Sequence, residues 1–326
     1  MEQDARIYLA GHTGLAGAAI LRSLKRAGYS NLLLRRHAEL ELTDARAVRE
    51  FFEREKPEYV FIAAAKVGGI LANQNHPAEF IHQNLAIGLN LIHEAWRAGS
   101  RRLLYLGSSC VYPRDCPQPM KEEHLLSGPI EPSNRAYALA KIAGIELCWS
   151  YNRQHGTRFL AAMPTNLYGA GDNYDPQTSH VFPALIRKIH EAKQRGESQV
   201  TLWGSGVPRR EFLCSDDLGD ACVFLMKLPD GGFARLTAPA TAPLINIGAG
   251  TDQTIAELAG LIAEVVGYDG RFVYDASKPD GTPRKLLDVS RISALGWKPG
   301  VDLRRGIALA CADFQRRQEV KPGAAA

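Results

Sequence analysis

Residues 6–17 read RIYLAGHTGLAG: a short apolar run, then glycines at positions 11, 14 and 17 at the head of an amphipathic stretch. The apolar run predicts a strand, and Leu15 to Ala27 predicts a helix. The glycines between them predict a tight turn that gathers backbone amides at a helix N-terminus and leaves no side chain in the way of a pyrophosphate. The spacing is G-x-x-G-x-x-G rather than G-x-G-x-x-G, so its position after the first strand carries the argument. Gly11, His12, Thr13, Gly14, Leu15, Ala16 and Gly17 are therefore the candidate dinucleotide loop.

Outward from this turn the chain alternates. NLLLR (31–35), YVFIAAA (59–65), RRLLYLG (101–107) and RFLAAMP (158–164) read as strands, separated by helical patterns at 45–55, from Pro77 to Ala98 and from about Ala136 to His155. Such alternation predicts an α/β fold, a doubly wound, Rossmann-like parallel sheet whose strands are apolar because helices cover both faces. Two polar segments, 111–135 and 169–180, are longer than ordinary connections and are expected to be functional loops. The last third carries shorter elements: a helix after His180, VTLWG (200–204), a helix from about Asp216, LINIG (244–248), a helix from Ile255 and RFVYDA (271–276). The expected division is a nucleotide-binding domain over 1–170 and a smaller α/β substrate domain over 171–326, with roughly 212–248 crossing back to the first. KPGAAA (321–326) is expected to fray.

The 326 residues, 39 Lys and Arg against 35 Asp and Glu, and a 45% hydrophobic fraction fit a soluble globular protein with only a mildly basic balance. Basic and acidic residues are interspersed, so a nucleic-acid partner is not expected. The N-terminus is neither signal peptide nor anchor, no stretch is long enough to span a bilayer, and a cytoplasmic location is expected. The six cysteines have no CxxC pair and no histidines at ligand spacing, so neither disulfides nor a metal is expected.

Two features refine the cofactor. The second strand ends in Arg35, Arg36 and His37, with no acid before Glu39, which favours a 2′-phosphate and hence NADP(H) over NAD. YALAK (137–141) sets Tyr137 and Lys141 one turn apart on a helix face. An ammonium there is expected to lower the phenol's pKa and to bond the nicotinamide ribose, with Ser108 from a strand end completing the set.

These features resemble the extended short-chain dehydrogenase/reductase family, and within it the enzymes that act on GDP-4-keto-6-deoxymannose. The resemblance runs through almost the whole chain: AGHTGLAG, AAAKVGGI (63–70), LGSSCVYP (106–113), YALAKIAGIELC (137–148), MPTNLYG (163–169), SHVFPALIRK (179–188), WGSGVPRREFL (203–213) and DASKPDGTPRKLLDV (275–289). It adds Leu106, Gly107, Ser108, Ser109, Pro164, Thr165, Asn166, Leu167 and His180 to the expected cofactor surface. Thr13 and His37 stand where some members carry arginine, which moves the grip on the 2′-phosphate to Arg35 and Arg36.

What the resemblance implies is a two-step reaction on GDP-4-keto-6-deoxy-D-mannose, 3,5-epimerisation and then NADPH-dependent reduction at C4 to GDP-L-fucose. Inversion needs a base on one face of the sugar and an acid on the other. Cys110 and His180 match those roles, while Ser108, Tyr137 and Lys141 serve the reduction. For the GDP half it implies Lys188, Trp203, Arg210, Asp280 and Lys285, and for assembly a homodimer through Pro77–Ala98 and Ala136–His155. Simpler readings stand beside these: Cys110 as packing, His180 as a helix cap, Trp203 as a core aromatic and Lys188 as a solvated charge. A 4,6-dehydratase would carry Thr-Asp-Glu in place of Ser108-Ser109-Cys110. A plain 4-reductase would need neither Cys110 nor His180, and a non-catalytic NADP(H)-binding regulator would have no use for the full Ser–Tyr–Lys set.

Overall fold

The computed structural model describes residues 1–319 except 177 and 279, and omits the side chains of residues 70 and 71; the expected frayed tail at 321–326 lies outside the described residues. Each strand–helix pair forms where the apolar period changes from two or continuous to 3.6. β1 (Ile7–Ala10), β2 (Leu32–Leu33), β3 (Tyr59–Ile62), β4 (Arg102–Leu106), β5 (Phe159–Pro164) and the strand Leu244–Ile247 make one parallel sheet, in the order 244–247, β5, β4, β3, β1, β2. The chain leaves β1 toward β2 and returns to β3 on the other side, so the switch point lies between β1 and β3, beside the glycine turn. Every residue of β1, β3, β4 and β5 is buried, as covering on both faces requires.

The helices are α1 (Leu15–Arg26), α2 (Ala45–Glu55), α3 (Ile70–Asn75), α4 (Pro77–Arg97), α5 (Arg135–His155), α6 (Val181–Arg195) and α7 (Ser215–Lys227), followed by shorter ones and by Ile255–Val266 and Leu303–Glu319. α2 begins where the Asp44 carboxylate accepts from the amides of Arg46 and Ala47 at 2.9 and 3.1 Å, a cap worth about 1 kcal/mol. One apolar layer joins Phe51, Phe52, Leu91 and Ile145 to one sheet face. The other joins Ile20, Leu24, Leu218 and Leu225 to the opposite face. A third cluster, away from the sheet, stacks Tyr168 on Phe182 at 4.0 Å and packs Ile189, Leu258, Ile262 and Phe314 around them.

Three small ladders rim the sheet's C-terminal edge. Arg209–Arg210 lies between Gln253–Thr254 and Arg284–Lys285; Gln199–Trp203 pairs with Arg271–Asp275, and Asn166–Tyr168 with Phe212–Cys214. The expected five-residue run at 31–35 shrinks to a two-residue ladder, because β2 is an edge strand with one neighbour and Arg35 turns to Glu55. Segment 111–135 is loop-like but holds short 3₁₀ turns at Glu122–His124 and Pro132–Asn134 and bridges from Pro113 to Ile130 and from Met120 to Leu287. Among the described residues no helix is long and apolar enough to cross a membrane.

Candidate active site

The glycine turn is built to be empty of side chains. Gly11 has φ +84°, and a Cβ there would lie 2.6 Å from the amide nitrogen of Ala64; a Cβ on Gly17 would lie 2.0 Å from the carbonyl oxygen of Gly11. Gly14 caps α1 without a side-chain bond, and the first turn contains no acid, so the helix's N–H groups remain available to an anion. His12, Thr13, Leu15 and Ala16 follow the same turn. Burial, and next the Arg36 guanidinium, lower the pKa of the His12 imidazole.

The basic edge divides its labour differently from expectation. Arg35 donates to Glu55 at 2.9 Å and to the Leu34 carbonyl, and its guanidinium lies 5.4 Å from the centre of the Phe51 ring. His37 pairs with Glu41 at 2.8 Å. Arg36 is exposed and its guanidinium has no carboxylate partner among the described residues. A 2′-phosphate fits Arg36; it would have to compete with Glu55 for Arg35. The cradle, the open helix end and this free cation together fit a phosphorylated dinucleotide.

At the end of β4, Leu106 and Gly107 lead into Ser108, whose hydroxyl accepts from the Cys110 amide at 3.3 Å, while Ser109 is buried. Tyr137, near the start of α5, lies close enough to the Ser108 side chain for it to lower the phenol's pKa, and meets Phe80 edge-on at 6.5 Å. One turn on, Lys141 is 3% exposed; its ammonium donates to the Leu106 carbonyl at 2.7 Å and lies 4.7 and 5.8 Å from the centres of the Tyr105 and Tyr137 rings. The expected direction of the tyrosine shift is reversed. Burial, then Cys110, raise the Tyr137 phenol against the opposing Ser108 side chain, and burial pulls the Lys141 ammonium down to about 7. The two groups compete with the same desolvation, so each is pushed toward its neutral form.

Cys110 is half-buried, while the other five cysteines are buried and all six are free. Its sulfur is 3.9 Å from the Lys285 ammonium, and Arg210 and Tyr137 both feel it electrostatically. Arg210 and Lys285 face each other in register on adjacent parallel strands. Burial lowers Arg210's pKa, with Cys110 and Asp280 opposing. Asp280 accepts from the Ser205 amide at 2.9 Å and hydroxyl at 2.6 Å, and these bonds lower its pKa. Trp203, at the end of the same turn, is 61% exposed and therefore no core aromatic. The Lys188 ammonium lies 5.3 Å from its ring centre and that of Lys278 5.5 Å. Lys278 went unread because a lysine in a Ser-Lys-Pro loop has no period to mark it.

His180 occupies the N-cap position of α6 but its side chain makes no capping bond, so it is not there as a cap. The residue is exposed, yet the protein packed round its ring lowers the imidazole pKa by desolvation. The preceding carbonyls of Thr178 and Ser179 pack against Gly69, which brings the 169–180 loop to the 63–70 stretch. Pro164 ends β5; the Thr165 amide donates to the Ile247 carbonyl at 3.0 Å, the Asn166 side chain to the Glu211 carbonyl at 2.9 Å, and Leu167 follows on a rim strand. A separate cavity of about 570 Å³, between Glu2, Trp96, Arg101, Arg102, Arg158 and Asp230, sits at the N-terminal strand ends. Its arginines are already paired with Glu2, Glu58 and Asp230. Among the described residues no group of three His, Cys, Asp or Glu could hold a metal.

A side-chain-free helix terminus at the switch point, with Ser, Tyr and Lys converging on the adjacent strand end, defines an enzyme of the short-chain dehydrogenase/reductase class. Residues 7–240 match the NAD dependent epimerase/dehydratase family, and the chain belongs to it. It is 51% identical to the GDP-L-fucose synthase of Escherichia coli (strain K12), over 96% of this chain and 98% of that protein. It is 52% identical to GDP-L-fucose synthase 1 of Arabidopsis thaliana, over 94% and 92%. Among solved structures, the Campylobacter jejuni GDP-mannoheptose C4 reductase with NADP bound superposes with a TM-score of 0.88 at 38% identity, covering 97% of this chain and 99% of that one.

Proposed function

We propose that this protein converts GDP-4-keto-6-deoxy-D-mannose into GDP-L-fucose, by epimerisation at C3 and C5 followed by reduction at C4. The observation that carries the reading is the placing of Cys110: a half-buried thiol whose amide donates to the Ser108 hydroxyl and whose sulfur lies 3.9 Å from the Lys285 ammonium. A reductase alone has no use for it. The near-complete coverage of two GDP-L-fucose synthases at half identity supports the same substrate.

In this reading the C4 ketone acidifies the hydrogens at C3 and C5. Cys110 takes each proton, the electron pair moves onto the C4 oxygen as an enolate, and His180 returns a proton from the opposite face. The glycine turn and Arg36 would hold NADPH, which would supply the hydride for C4. Tyr137 donates the proton to the forming alkoxide, a base strong enough to take it from a phenol. Ser108 polarises the oxygen. Lys141 orients Tyr137 and the cofactor ribose, and Pro164–Leu167 borders the nicotinamide. Arg210 and Lys285 meet the diphosphate, Trp203 offers the base an exposed ring face, with Lys188 beside it, and Asp280 holds the Trp203–Ser205 turn next to Arg210. The division of labour is a nucleotide-binding domain over 1–170, with 212–248 returning to it, and a substrate domain over 171–326. The enzyme works in the cytoplasm as a homodimer through α4 and α5, where Leu89 and Leu139 are exposed.

The test is one incubation in D2O with NADPH and the keto sugar, read by NMR. GDP-L-fucose with deuterium at C3 and C5 is the expected product. The C4 reductase likeness favours a second outcome, an unlabelled 4-reduced D-sugar, which would return Cys110 to packing.

A further inference from the structure

Glu211 breaks a folding rule. Its side chain is wholly buried, 0% exposed, and no Lys, Arg or His pairs with it among the described residues. Burial raises its pKa, against the donors that surround it. An apolar residue of similar size would cost folding less, so its contacts should explain it. One carboxylate oxygen accepts from the Gly250 amide at 2.7 Å and the other from the Leu287 amide at 3.0 Å. The backbone is built to admit it, since a Cβ on Gly248 would lie 2.3 Å from its oxygen.

Those donors belong to the segments that carry the site. Leu287 follows Lys285 by two residues, and the Glu211 amide donates to the Lys285 carbonyl at 3.2 Å. Glu211 itself follows Arg210. Its carbonyl accepts from the Thr165 hydroxyl at 3.3 Å and from the Asn166 side chain at 2.9 Å. One residue therefore ties the end of β5 to both cation-bearing strands.

We propose that Glu211 is a positioning residue, holding Arg210 and Lys285, and through Lys285 the setting of Cys110, in register with the Thr165–Asn166 end of β5. The role rests on the site reading above, in which these cations meet the GDP-sugar. Glu211→Gln is the informative change. Its amide NH2 cannot accept from an N–H, so one of the two amide bonds must be lost while volume is kept.

The measurements are KM for the keto sugar, the rate of deuterium entry at C3, the affinities for GDP and for NADP+ by calorimetry, and the melting temperature. The expected result is a KM about tenfold higher, GDP binding about tenfold weaker and slower C3 exchange, with NADP+ affinity within about twofold of wild type. Gly248→Ala, which displaces the carboxylate without changing its charge, should move the same quantities and serves where Glu211→Gln does not accumulate. A lower melting temperature with unchanged KM, exchange and GDP binding would reduce Glu211 to a structural residue. Parallel loss of GDP and NADP+ affinity would also overturn the proposal, since it would signal general loosening. Wild-type protein that binds GDP but makes no product would overturn the functional reading instead, and the GDP arm would still decide Glu211.

Discussion

Replacing Lys141 with methionine should make the free protein more stable and the enzyme inactive. The ammonium is 3% exposed, and burial alone lowers its pKa from 10.5 to about 7. That fall is worth about 5 kcal/mol against the charged form. The 2.7 Å bond to the Leu106 carbonyl and the two ring faces act the other way, returning about 1.5–3 kcal/mol for the charge-assisted bond and about 0.5–1 for each ring. A net cost of at most about 2.5 kcal/mol remains below pH 7. The sign follows from linkage: a base whose folded pKa is depressed destabilises the fold where it is protonated, and that penalty fades as pH rises from about 7 toward 10.5. Lys141→Met, an apolar isostere, removes the penalty. Urea unfolding of the cofactor-free protein should show a gain of up to about 2.5 kcal/mol at pH 6 that shrinks toward zero near pH 10. The same variant should lose about a hundredfold or more in C4 reduction. A variant less stable at pH 6, or a difference that does not vary with pH, would refute the argument that the lysine is held at a cost.

Arg36→Ala should raise KM for NADPH about tenfold to a hundredfold and leave that for NADH within about twofold, whereas Arg35→Ala should leave the NADPH/NADH preference alone; steady-state kinetics with both cofactors decides between them. Cys110→Ser should slow deuterium entry at C3 and C5 by about a hundredfold or more while some C4 reduction continues, and normal product stereochemistry would defeat the base assignment. Asp172 lies in the His180 loop, where burial, with Asp313 adding to it and Arg317 opposing, raises its pKa from 3.8 to about 6. An acid with a raised folded pKa stabilises the fold below 3.8 and loses that contribution as pH rises through about 6. Asp172→Asn should therefore be more stable than wild type at pH 8, by up to about 3 kcal/mol, and equal to it near pH 3.5 when measured by urea unfolding.

The parallel sheet was legible because its strands and helices are written in local period, and α2 falls on the residues its pattern names, with Asp44 in the capping position. The helix Leu303–Glu319 was missed although Gly306, Ile307, Ala310, Cys311 and Phe314 follow helical spacing on its buried side. Small residues and a cysteine weaken that stripe, and arginines crowd the opposite face. Arg35 and Arg36 show a different limit: neighbours in sequence, they diverge because Glu55 from α2 claims one of them. No local pattern contains that contact.

Tyr137 and Lys141 carry the same lesson into chemistry. The four-residue spacing put both groups on one helix face and suggested that the ammonium lowers the phenol. Desolvation decides otherwise, because α5 lays both against the end of β4, where burial acts on each group before they act on each other. A phenol at its ordinary value is already protonated at neutral pH, so the rise adds no proton and makes Tyr137 the weaker acid in the cofactor-free site. Glu211 completes the point from the far wall of the cleft. An uncompensated buried acid looks like an error until its N–H donors are traced to Leu287, just past the Lys285 strand, and to Gly250, just past the strand Leu244–Ile247, and tracing them requires the fold.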